Sequence, residues 1–309
     1  MKRVILYLTL IIALTAAFES SAINKVLPSE WTEFFQKGSS TTVKASKKKA
    51  TIRNTVGAFS KIENVCSADV SVVRGNANEV EISGPDNVVG LLSCDVGGST
   101  LKIRFKKNVS VSIGDGCPDL KIKVTMRSAL SSVRNAGSGD FECDKTVDWS
   151  NDAKIMSSGS GDISIKSIRS ESLKVQMAGS ADMKIDEMRS TSVSVMMSGS
   201  GDFESHLTDC DVLNFMMSGS GDAKNVKMKC RIANYMLSGS GDAVVKDLDC
   251  STLNVMSSGS GSSRLAGQCV SANYTVSGTG DINAKEMTAK SVNVRATGPG
   301  DVLYSKPKR

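Results

Sequence analysis

Ser198-Gly199-Ser200-Gly201-Asp202 recurs almost letter for letter along the second half of the chain, and its recurrence decides the fold. The aspartate position falls at 140, 162, 182, 202, 222, 242, 262, 281 and 301. The intervals are 22, 20, 20, 20, 20, 20, 19 and 20 residues, and only Ser262 departs from Asp. Seventeen of the 27 glycines lie in these copies, so glycine marks one place per repeat. A fixed period near 20 is the signature of stacked, solenoid-type architecture.

Working outward from each aspartate, apolar residues return at fixed offsets. Ile163, Ile165 and Ile168 follow Asp162 at one, three and six residues; Met183, Ile185 and Met188 follow Asp182. The eleventh and thirteenth places hold Leu173/Val175, Val193/Val195, Leu213/Phe215 and Leu253/Val255. Each repeat is read as two short strands with odd offsets inward and even offsets outward. One repeat cannot bury its own apolar face, whereas stacked repeats share a continuous core. From Thr51 to Met126 the alternation comes in shorter runs, such as Val70/Val72, Val80/Ile82 and Leu101/Ile103/Phe105, separated by Gly, Asn, Asp and Pro. These too are strands and turns. The expectation is an all-β parallel β-helix, with about thirteen turns from Thr51 to Ser305 and a length on the order of 60 Å. A leucine-rich-repeat horseshoe is excluded, since Leu-x-x-Leu-x-Leu is missing.

The chain starts Met1-Lys2-Arg3, then an apolar run from Val4 to Ala17, then small residues to Ser20-Ser21-Ala22. That is the order of a secretory signal peptide over 1–22, and the run is short for a bilayer span of roughly 20 residues. Cleavage would remove Lys2, Arg3 and Glu19 and take the net charge from +6 to +5. The expected location is secreted: extracellular, cell-surface or periplasmic, and not transmembrane after cleavage. Residues 23–50 read as a linker with a short capping helix carrying Trp31, Phe34 and Phe35, the β-helix occupies 51–305, and 306–309 is a basic tail. The basic clusters lack interleaved aromatics or a nucleic-acid motif, so nucleic acid is not an expected partner.

The Ser-Gly-Ser-Gly-Asp copies resemble the bacterial GIN domain, described as the head of an auto-transporter adhesin. The similarity reaches upstream to Phe59-Ser60-Lys61-Ile62, Leu101-Lys102-Ile103 and Ala129-Leu130-Ser131-Ser132-Val133. It ends at Thr297-Gly298-Pro299-Gly300-Asp301-Val302-Leu303-Tyr304. What the resemblance implies is a right-handed parallel β-helix at the cell surface or in the periplasm. The eight cysteines and a methionine stripe depart from the expected pattern.

Three columns follow from the repeat. In the first, Gly199, Gly201, Asp202, Gly219, Gly221, Asp222, Gly239, Gly241 and Asp242 form structural turns, with glycine free to take positive φ and Asp accepting turn amides. Stacked aspartates about 5 Å apart repel by about 0.8 kcal/mol per pair in water. Backbone amides would offset this, or a cation would, which makes Asp162, Asp182, Asp202, Asp222 and Asp242 the only candidate calcium residues. The second column is Met156, Met196, Met216, Met236 and Met256, interrupted by Gln176. If it faces outward, it is an apolar stripe for self-association or a partner; otherwise it is a half-buried corner. The third is Cys210, Cys230, Cys250 and Cys269, whose equivalents Ser170, Ser190 and Ala289 point to an inward corner for small groups. Cys66, Cys94, Cys117 and Cys143 are better placed for disulfides in an exported chain.

Catalysis finds little support, because His206 is the single histidine and Gly-x-Ser-x-Gly does not occur. No cofactor is implied. The function expected is an exported, non-enzymatic β-helix that presents repetitive ladders to a surface polysaccharide or protein. A rod-like envelope spacer and a polysaccharide lyase or hydrolase are the alternatives.

Overall fold

A computed structural model describes residues 41–307. The leader over 1–22 and the helix expected around Trp31 lie outside the described residues. In chain order the first elements are β1 (Thr41–Lys44), β2 (Lys49–Thr55), β3 (Lys61–Asn64), β4 (Asp69–Arg74) and β5 (Glu79–Pro85). They are followed by the one-turn helix α1 (Asp86–Val89), then β6 (Leu92–Gly97), β7 (Thr100–Phe105), β8 (Val109–Ser112) and β9 (Lys121–Met126). The repeat region supplies β10 (Leu130–Asn135), β11 (Phe141–Cys143), β12 (Trp149–Ser157), β13 (Ile163–Met177), β14 (Met183–Met197) and β15 (Phe203–Met217). It ends with β16 (Ala223–Leu237), β17 (Ala243–Ser257), β18 (Ser263–Val276), β19 (Ile282–Ala296) and β20 (Val302–Tyr304).

The chain divides into two compact units. In the small one (residues 1–43 and 107–112), strand β1 pairs with β8, so a strand occupies part of the stretch read as a linker. The large one (residues 44–106 and 113–309) is a β-solenoid of about nine turns at a spacing near 20 residues. From β12 to β20 every consecutive pair is parallel, Ile163 on Met183 on Phe203 on Ala223 on Ala243, and the register shifts only around β18. Nine turns at about 4.8 Å per step give roughly 40 Å of regular stack.

The expected thirteen turns are therefore too many. The parallel ladder does continue below the first repeat, with β10 on β3 on β7, and β11 on β4 on β9. There it stops, because antiparallel strands take over: β6 on β7, β5 on β9, and β2 on β5. Short alternating runs look the same in sequence whichever way they pair. Here they cover the open edge of the ladder, which would otherwise offer unpaired amides to another chain.

Within a turn the strand is continuous but bent. Pairing lapses at Lys166/Asp186 and again at Glu171/Thr191, leaving three straight runs per turn. In β13 these are Ile163–Ile165, Ser167–Ser170 and Ser172–Met177. The first and third runs bury odd offsets, as expected: Ile163, Ile165, Leu173, Val175 and Met177. The middle run buries even offsets, Ile168 at six and the Cys230/Cys250 place at eight, because the first corner shifts the alternation by one. The core is filled by stacked identities rather than by interlocking helices. Phe215 sits on Tyr235 of the next turn with ring centroids 5.3 Å apart, and meets Phe203 of its own turn inside the core at 5.8 Å.

The turn glycines act differently from expectation. Among the described residues the positive-φ glycines are Gly98, Gly116 and Gly267, none of them in a repeat turn. What excludes a side chain is the turn below. A Cβ on Gly219 would lie 1.9 Å from the Gly199 carbonyl oxygen, and one on Gly239 1.9 Å from that of Gly219. Glycine is selected by the closeness of successive turns.

Candidate functional site

The longest straight run of each turn carries three outward places, at ten, twelve and fourteen residues after the aspartate. Neighbouring places on a strand face are about 6.8 Å apart, and neighbouring turns about 4.8 Å. The outermost place is the methionine column. Met196, Met216, Met236 and Met256 are 37, 39, 51 and 49% exposed, whereas Met156 is half-buried. Beside them run a shallow groove of about 470 Å³ and the serines of the turns. Ser198, Ser218 and Ser238 turn their hydroxyls onto the carbonyls of Met177, Met197 and Met217 at 3.2–3.3 Å. Those hydroxyls are engaged by the main chain, so the groove presents mainly methionine thioethers and methylenes.

The next column inward on the same face is Asn214, Asn234, Asn254 and Asn273. The Nδ2 groups of Asn234, Asn254 and Asn273 donate to the Oδ1 of the asparagine one turn earlier, at 2.9, 2.8 and 2.8 Å. An amide has two N–H donors and two acceptor lone pairs, so each asparagine inside the ladder retains one of each. This ladder was missed by the sequence reading, although aligning the repeats on their aspartates places these residues in one column. Val212, Ile232 and Thr252 complete the face.

The aspartate column is bound into the backbone. The N–H of Asp162, Asp182, Asp202, Asp222 and Asp242 each donates to the Oδ1 of the preceding aspartate, at 2.7–2.9 Å. Asp69 adds an earlier rung, accepting from the Asp140 amide at 3.1 Å. At the exception, Ser262 donates its amide to Asp242, and its hydroxyl accepts from the Asp281 amide. One carboxylate oxygen per turn is thus committed to an amide dipole. Among the described residues no group of three or more His, Cys, Asp or Glu is placed to hold a metal ion.

The cysteine column lies inside the corner, as its small equivalents suggest. Cys230, Cys250 and Cys269 are buried and Cys210 is half-buried. All eight cysteines are free thiols, including the four read as disulfide candidates. Burial pushes the Cys94 and Cys143 thiols up to about 12.

His206 joins a row of polar and charged side chains on the outer surface. Its Nδ1 lies 3.2 Å from Asp186 and its Nε2 3.5 Å from Glu204. Lys166 and Lys224 close the chain on those two carboxylates at 3.2 and 2.5 Å. The Lys224 ammonium holds the Glu204 carboxyl below the usual carboxylate range. Four charges and an imidazole in a row on a surface are a solvated network.

The family model described as "Putative auto-transporter adhesin, head GIN domain" matches residues 58–230, 178–264 and 224–305. The chain belongs to this family. No curated protein matches the sequence. Among solved structures, one titled a putative lipid binding protein from Parabacteroides distasonis aligns at 19% identity with a TM-score of 0.61, over 86% of this chain and 100% of that one. One titled a putative adhesin from Parabacteroides merdae aligns at 19% identity and 0.59, over 86% and 99%. Another, from Bacteroides fragilis, aligns at 18% and 0.50, over 85% and 100%. At these identities the solved structures speak for the fold alone. Adhesin-like surface placement rests on the family description.

Proposed function

We propose that the chain is an exported, non-enzymatic binding module whose methionine–asparagine face holds a long partner, a surface polysaccharide or a protein. The observation that carries this is the exposure of four consecutive methionines beside a hydrogen-bonded amide ladder. Exposed apolar rows of this kind mark contact sites, and polarizable methionine adapts to uneven surfaces. The amides add a donor and an acceptor per turn at a fixed repeat. Each contact is weak, and affinity comes from the number engaged at once. The family description supports a surface role.

A second reading has one observation in its favour. The groove from Met156 to Met236 covers four turn intervals, about 19 Å, and one leaflet of bilayer hydrocarbon is about 15 Å deep. An extended acyl chain would fit along it, and one structural relative is titled as lipid binding.

The test incubates the full chain with a panel of surface polysaccharides, matrix proteins and a fluorescent fatty acid, scoring retained ligand and released fragments together. Saturable retention without fragments, weakened at least tenfold by Met216→Ser with Met236→Ser, is the expected result. Uptake of the fatty acid alone, lost in the same variant, selects the acyl reading. Released fragments overturn the proposal, and silence in every channel leaves a spacer. Light scattering on the same pair reads self-association, which the variant should reduce if the stripe also joins copies.

A further inference from the structure

Four thiols of this chain are stacked in one line, and nothing described above uses them. Strand register places Cys210 on Cys230, Cys230 on Cys250, and Cys250 on Cys269. The shortened repeat does not break the column, because the register shift in β18 restores the alignment before Cys269.

In-register parallel strands keep their Cβ atoms at the strand spacing, about 4.8 Å. A disulfide wants Cβ atoms near 3.8 Å, so bridging two turns would pull the ladder about 1 Å together at that point. A metal between two thiolates has no such difficulty. At about 2.3 Å per metal–sulfur bond, a linear sulfur–metal–sulfur unit spans about 4.6 Å. A tetrahedral ion is poorly served, because four thiols in a line cannot converge on one centre. Consistent with this, no group of three or more ligands among the described residues is placed around a point.

We propose that the Cys210–Cys230–Cys250–Cys269 column is a binding site for a soft monovalent cation of the Cu(I) kind, held by two thiolates from adjacent turns. Thiolates select such ions over hard cations. Two ions fill the column, one between Cys210 and Cys230 and one between Cys250 and Cys269. Each uptake is balanced as one M⁺ plus two thiols giving a dithiolate complex of charge −1 and two protons, with no change of oxidation state. Access is through the half-buried Cys210. The outward neighbours carry both signs: Asp209 and Asp249 flank Lys229 in one column, and Arg231 pairs with Asp211 at 2.7 Å in the other. Because protons leave, affinity falls as pH falls.

The experiment uses the reduced, metal-free full chain under anaerobic conditions, titrated with Cu(I) supplied as its acetonitrile complex against a chromogenic Cu(I) chelator. The comparison is Cys210→Ser, Cys230→Ser, Cys250→Ser and Cys269→Ser combined. Serine already occupies this place at Ser170 and Ser190, whose hydroxyls bond each other at 2.8 Å, so the variant keeps a packed corner. Cys66, Cys94, Cys117 and Cys143 stay in both proteins as internal controls. The expected result is about two ions retained by the wild type and none by the variant, with about two protons released per ion. Equal retention by both, or none by the wild type, overturns the proposal. X-ray absorption of the loaded wild type gives a second reading independent of the variant's folding. Two sulfur neighbours per ion are expected, and nitrogen or oxygen neighbours instead overturn the proposal. So does a Cys210–Cys230 or Cys250–Cys269 disulfide in the protein as isolated.

Discussion

Gly219 shows how a single residue is held to its identity by its neighbour in the stack rather than by its own torsion angles. Its place is glycine in all nine turns, from Gly137 to Gly298. The second glycine place is less strict, because Ala181 occupies it in one turn while buried. Gly219→Ala should therefore destabilise by about 1–3 kcal/mol, the usual range for forcing an extra methyl into a packed site. A Cβ on Gly221 would likewise lie 2.1 Å from the Gly201 carbonyl oxygen, so Gly221→Ala should cost a similar amount, and thermal melts of the two variants test selection by close approach. A loss at neither place would contradict it. At the same scale, Glu204 sets a small pH dependence. Lys224 lowers its folded pKa, so its contribution is complete above the ordinary glutamate value of about 4.3 and is lost as pH falls through the lowered value. The pair is largely solvated, which limits this to a few tenths of a kcal/mol. Wild type and Lys224→Gln should differ slightly in melting temperature at pH 7 and converge once acid protonates Glu204.

At the scale of the element, β18 is the informative strand, since it is one residue shorter than its neighbours and still aligns at both ends. The missing residue comes out of the first corner: Val245 still meets Leu265, but Leu248 meets Gly267. Gly267 absorbs the deletion with φ +129, and a Cβ there would lie 2.1 Å from the Leu248 carbonyl oxygen. Gly267→Ala should cost about 2 kcal/mol or more, combining a disfavoured backbone region with overpacking. Hydrogen exchange should show protection lost first in β17 and β18, with β13 and β14 unaffected. Uniform loss along the stack would mean the solenoid opens as one unit. The corner also explains the sequence's one error of phase. Strict odd-in, even-out alternation fails in the middle run because a bend consumes one residue, and no residue type marks that bend.

For the whole molecule, contacts join each turn only to its two neighbours, so a complete turn is a removable unit. Deleting residues 203–222 joins Asp202 to Ala223, which has the same place as Phe203 in the stack. The shortened chain should keep its β spectrum and melt cooperatively at a modestly lower temperature. Deleting 203–212 removes half a turn, exposes the core of its neighbours and should prevent folding. Circular dichroism distinguishes the two, and an equally folded half-turn deletion would contradict the register. The sequence by itself determined the solenoid, its period, the inward apolar rows and the three columns of Asp, Met and Cys. It could do so because a repeated unit prints each column as a recurring letter. Tertiary structure alone decided that about nine turns are regular and that antiparallel strands close the far edge, since alternation records burial but not strand direction. It also decided that methionines stand exposed beside an asparagine ladder and that glycines yield to the turn below. Those outcomes depend on where the corners fall and how closely one turn lies on the next, and both are set by packing between residues some twenty positions apart.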